Sequence, residues 1–81
     1  SALGRFDILI IPKDVSQLGV IIELKNSKDE NRSLAELAQD ALAQIEVKQY
    51  AEEFKVRGIM NTVKYGIGFR GKVCEVISDP S

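Results

Sequence analysis

Three ionisable side chains interrupt apolar runs in the first third of the chain: Asp7 within residues 6–11, and Glu23 with Lys25 within residues 18–25. A charge in such a run is costly unless something pairs with it. Glu23 and Lys25 are two residues apart, so in a strand they share a face while Leu24 points away. If strand pairing brings Asp7 beside Glu23, two carboxylates lie together, and a cation between them relieves the repulsion. A hard divalent ion suits that role. Two carboxylate oxygens, the main-chain carbonyl of Leu24 and several waters make a shell of the kind Mg²⁺ accepts, with Mn²⁺ an equal candidate. Lys25 would then orient or help deprotonate an attacking water, or stabilise charge on a reacting phosphate. The competing reading is structural, with Lys25 closing an ion pair with Asp7 or Glu23 at the edge of the core. A D…ExK pattern is short enough to arise by chance, and residue chemistry alone leaves both readings open. Context adds weight, because both pieces lie in apolar strands and a capped helix follows.

Other chemistry is narrowed by what the chain lacks. There is no histidine, the commonest zinc ligand and general base, and the single Cys74 excludes an intrachain disulfide or a multi-cysteine metal site. Eleven basic against twelve acidic residues give a net charge of −1, so any contact with nucleic acid has to be local rather than driven by a global positive field. Apolar stretches are strand-sized and no signal-type segment opens the sequence, so neither membrane spanning nor secretion is expected and the protein reads as cytoplasmic. Asn31-Arg32-Ser33 matches a glycosylation sequon, which without a secretion signal reads as chance.

The elements that must position these residues follow from periodicity. The runs 6–11 and 18–25 are rich in branched residues and separated by a polar segment, which predicts a hairpin. Their continuous apolar character predicts strands covered on both faces, as at the centre of a sheet. Ser33-Leu34-Ala35-Glu36 is a capping box, and Leu34, Leu37, Ala38, Ala41, Leu42 and Ile45 then form one helical stripe. The helical pattern runs on through Val47, Tyr50, Ala51 and Phe54 to a stop at Gly58, with a drift near Glu46 that allows a bend. Val63, Tyr65, Ile67 and Phe69 alternate with Lys64, Gly66, Gly68 and Arg70 as a strand with one apolar face, and a turn at Arg70-Gly71 leads to a last strand. The expected fold is therefore one α/β domain spanning 1–81, ordered strand, strand, helix, strand, strand, with a mixed sheet of about four strands packed on a helix. Gln44 lies at the border of the helical stripe, either as an ordinary boundary glutamine or as an amide that steadies the lysine or a phosphate. Tyr50 and Phe54 read as helix packing. Lys48, Lys55, Arg57, Lys64, Arg70 and Lys72 read as mostly solvated, with some able to touch a phosphate backbone.

Several of these pieces together resemble a family. Gly4-Arg5-Phe6-Asp7, Ile21-Ile22-Glu23-Leu24-Lys25, Ala41-Leu42-Ala43-Gln44-Ile45 with Lys48 and Tyr50, and Lys64-Tyr65-Gly66-Ile67-Gly68-Phe69 resemble the PD-(D/E)xK domain at the C-terminal end of bacterial AAA-ATPase-like proteins. The resemblance spans nearly the whole chain. It implies a restriction-endonuclease-like core and a Mg²⁺- or Mn²⁺-dependent nuclease that hydrolyses phosphodiester bonds, with DNA as the expected partner. It also implies Asp7 and Glu23 as metal ligands, Lys25 as the catalytic lysine and Gln44 as an auxiliary site residue. Arg5 matches the lead-in to the first acidic residue. Related domains carry a preceding helix that packs on the sheet, and no such helix precedes the first strand in this sequence. The start is thus expected to be trimmed, with the uncovered sheet either pairing with a second copy or completed by the missing N-terminal segment. The alternative function is an inactive nuclease-fold module that binds nucleic acid or a protein partner.

Overall fold

The computed structural model describes residues 5–79, so Gly4 of the lead-in motif lies outside the described residues. The chain forms strands β1 (Arg5–Ile10) and β2 (Gly19–Asn26), helices α1 (Leu34–Lys48) and α2 (Tyr50–Val56), and strands β3 (Thr62–Arg70) and β4 (Val73–Asp79). They build one mixed sheet in the order β1-β2-β3-β4. β1 and β2 are the expected antiparallel hairpin, β2 and β3 are parallel across the helical crossover, and β3 and β4 are antiparallel.

Helix α1 starts where its capping chemistry puts it. Ser33 Oγ accepts from the Glu36 N–H at 3.0 Å, and Glu36 Oε1 accepts from the Ser33 N–H at 2.8 Å. Its stripe buries Leu37, Ala38, Ala41 and Ile45 completely, and Ile45 joins Ile21, Phe54 and Ile59 in the main core cluster. The expected continuous helix is instead two. Gln49 adopts a left-handed conformation, φ 59°, which ends α1 and starts α2. The drift of the stripe near Glu46 allows a bend, and the break falls three residues beyond it, where the sequence has no glycine or proline to fix its place.

The helix lies on the side of β3 that carries Thr62, Lys64, Gly66 and Gly68, not on its apolar face. Gly66 and Gly68 explain the choice. A Cβ built on Gly66 would stand 2.3 Å from the Ala38 carbonyl oxygen, and one on Gly68 would stand 2.2 Å from that of Leu34. Side-chain-free backbone therefore lets the helix backbone rest on the strand. The expectation that β1 and β2 are covered on both faces is not met among the described residues: every residue of β1 is exposed, and β2 is buried on one face only. β1 is an edge strand, and the helices cover one side of the sheet. Lys64, expected in solvent, is 7% exposed and bonds Glu46 Oε2 at 2.5 Å. Arg70 donates to the carbonyls of Ser27, Asp29 and Arg32, which ties the loop before α1 to the sheet.

Candidate metal-dependent nuclease site

Strand register sets the first relation in the site. Asp7 pairs with Glu23 and Arg5 with Lys25 across β1 and β2, and paired residues point to one side. That side is the helix side, because Glu23 lies beside Gly66 and Lys25 beside Gly68 on β3. The two carboxylates therefore stand together, as the sequence suggests. Glu23 is wholly buried, whereas the Asp7 side chain is 25% exposed.

Lys25 is not the cation between them. Its Nζ donates to Asp40 Oδ2 at 3.0 Å, and Arg32 bonds the same oxygen. The structural ion pair between Lys25 and Asp7 or Glu23 is thus replaced by a different one. Lys48 bridges the carboxylates, donating to Asp7 Oδ1 at 2.9 Å and to Glu23 Oε2 at 3.2 Å. Tyr50 donates its hydroxyl to Asp7 Oδ2 while its ring packs on the core cluster. Arg5 Nε approaches Glu23 Oε2 at 3.7 Å.

The helix supplies this second set from one ridge. Asp40, Gln44 and Lys48 are spaced four apart, so they follow one another along α1. Asp40 meets Lys25, Lys48 meets Glu23, and spacing puts half-buried Gln44 between them. Sequence reading missed Lys48 and the hydroxyl role of Tyr50. The available signal was that four-residue spacing of Asp40, Gln44 and Lys48, a polar line beside the apolar stripe. Leu24 turns its side chain to the opposite face, between Phe6 and Ile67, so only its main chain can serve the site.

Electrostatics separate the two acids. Burial pushes the Glu23 carboxyl up, the Lys48 hydrogen bonds oppose this, and the Asp7 charge adds to the rise. Burial also pulls Asp7 upward, but hydrogen bonds from Tyr50 and Lys48 outweigh it and leave Asp7 below its ordinary value. Lys48 loses some basicity to burial and gains more from the two carboxylates, so it is held protonated. Hydrogen bonding to Asp7 raises the Tyr50 hydroxyl.

A divalent ion fits this donor set. Two adjacent carboxylates, one of them buried and strained by its neighbour's charge, are what such an ion relieves. Among the described residues no group of three or more histidine, cysteine or acidic side chains gathers, so side chains of these types would supply two ligands at this position and water most of the rest. The set suits an ion that keeps most of its water, as Mg²⁺ does.

The chain belongs to the PD-(D/E)XK nuclease superfamily, whose family model it matches over residues 1–79. The mixed four-stranded sheet with two helices is consistent with the restriction-endonuclease-like fold of that superfamily, and membership supports a metal-dependent nuclease. No curated protein and no solved structure matches the chain. Among the described residues no helix is long and apolar enough to cross a membrane.

Proposed function

We propose that the chain is the catalytic core of a nuclease that hydrolyses phosphodiester bonds in DNA, with Asp7 and Glu23 holding Mg²⁺ or Mn²⁺. The observation that carries this is the Asp7–Glu23 pair, set face to face by register with Lys25 two residues along the same strand face. The main-chain carbonyl of Leu24, between Glu23 and Lys25 on the strand, would be the third protein ligand. When bound, the ion acts as a Lewis acid on the phosphate and favours the ionised form of the attacking water. Lys25 Nζ orients that water, or holds the negative charge that builds on the phosphoryl oxygens as oxygen bonds to phosphorus and the ester P–O bond breaks. Asp40 and Arg32 fix the position of Lys25 before substrate arrives. Gln44, one helical turn from both Asp40 and Lys48, steadies the lysine or a phosphate oxygen.

The preference for DNA and a place at the C-terminal end of a bacterial AAA-ATPase-like protein rest on the motif resemblance, whereas work in the cytoplasm rests on apolar stretches no longer than a strand. That the chain forms one domain is supported by a single sheet that unites all four strands. The test is cleavage of supercoiled plasmid and of a matched RNA with Mn²⁺, Mg²⁺ or chelator. Metal-dependent DNA cleavage that falls about 10²–10³-fold in Lys25→Ala supports the assignment, that being the usual loss when one preorganised charge stabiliser is removed. Equal cleavage in Lys25→Ala, or activity in chelator, contradicts it.

A second reading is favoured by one observation, the Lys48 bridge, which is also the contact that an inactive module with a buried ion-pair network would keep. Stability measurements on Glu23 separate the two readings.

A further inference from the structure

The Lys48 ammonium sits on the two carboxylates that would hold a bound ion. It is 2.9 Å from Asp7 Oδ1 and 3.2 Å from Glu23 Oε2. A magnesium ion shared by the same carboxylates takes their lone pairs at roughly 2.0–2.1 Å. Ammonium and ion cannot both occupy that position, because two cations that share the same carboxylates crowd and repel one another.

We propose that Lys48 is an exchangeable plug, filling the Asp7–Glu23 pair until a divalent cation enters and being driven out by that entry. The proposal rests on the reading of Asp7 and Glu23 as metal ligands. Three features make the exchange workable. Lys48 is the last residue of α1, its side chain is 30% exposed and its four-carbon stem is flexible, so the ammonium can leave without moving the helix. The carboxylates are held by other groups during the exchange, Asp7 by the Tyr50 hydroxyl and Glu23 by the approach of Arg5. Once released, the ammonium stays tethered to the last turn of α1, where the partial negative charge of the helix end favours a cation. Loading the metal thus frees a positive charge at the mouth of the site, where an anionic phosphodiester arrives. Lys48 is in this sense a positioning residue, responsive to the metal rather than part of its shell.

The test is calorimetric titration of Mn²⁺ into the wild type, Lys48→Met, Lys48→Gln and Asp7→Asn, with circular dichroism to verify folding. Removing the competing ammonium is expected to tighten Mn²⁺ about tenfold in Lys48→Met, equivalent to about 1.4 kcal/mol. Lys48→Gln carries the comparison if the methionine variant does not fold. In the wild type, Mg²⁺ should also make the Lys48 ammonium protons exchange faster with water in ¹⁵N NMR. Equal or weaker Mn²⁺ binding in the folded Lys48 variants overturns the plug while leaving the metal site standing. Wild-type binding that persists in Asp7→Asn, or no binding at all, overturns the metal site itself.

Discussion

Asp7 and Glu23 face one another across a strand pair, yet their carboxyls shift in opposite directions. Glu23 is sealed under α1 and raised by burial, whereas Asp7 is lowered by the hydrogen bonds of Tyr50 and Lys48. The consequence for stability differs in sign. A carboxyl raised in the folded state supports the fold at low pH, and that support is lost as pH rises through its folded value. The charged form of Glu23 therefore burdens the metal-free protein at neutral pH, and Glu23→Gln should raise Tm in chelator. At about 4–8 °C per kcal/mol in a domain of this size, scanning calorimetry resolves the change. A loss of roughly 3–5 kcal/mol instead would mark Glu23 as one member of a structural network. Lys25 makes a milder pair, since Asp40 is 44% exposed. Lys25→Met should cost less than about 1 kcal/mol in urea denaturation, as for other exposed pairs. The D…ExK residues were legible in the sequence because charges in apolar runs stand out. Lys48 was not, since a lysine in a helix's last turn looks solvated until the strand beneath it is known.

At the scale of elements, the site depends on how closely α1 approaches the sheet. Gly66 and Gly68 allow that approach, and with it the reach of Lys48 to Glu23 and of Asp40 to Lys25. Gly66→Ala should destabilise by about 1–3 kcal/mol through overpacking. It should also reduce Mn²⁺ affinity by lifting the helix off β3. An unchanged Tm and affinity would show that the backbone contact does not set the site. The hairpin, the Ser33 cap and the helical stripe could all be read in advance, because each is fixed by neighbours in sequence. Of the break at Gln49 only the drift near Glu46 could be read, as room for a bend, because glutamine is an ordinary helix residue and nothing local fixes the left-handed turn there. Alternation in β3 showed a strand with one apolar face but not which face the helix takes. Two glycines matched to backbone atoms of α1 decide that, and such matching is a property of the folded pair.

For the whole molecule, the helices cover one face of the sheet and leave the other bare among the described residues. Phe6, Ile8, Ile10 and Val76 are each about half exposed there, and the Phe6 and Phe69 rings stack at 6.2 Å. An apolar face of this kind drives association. The 81-residue chain in isolation should pair through it with a second copy, so light scattering should give a mass near twice that of the monomer. Ile8→Lys should return the mass to that of one chain. A monomer at high concentration without that substitution would count against the pairing. On the opposite face lies the divalent-metal site proposed for the nuclease core, formed by Asp7 and Glu23. Its most direct test is Mn²⁺ titration by calorimetry of the wild type beside Asp7→Asn and Glu23→Gln. Saturable binding in the wild type that is lost in both variants is the predicted result. No binding at millimolar Mn²⁺ in a folded sample, or binding that survives both substitutions, would contradict it.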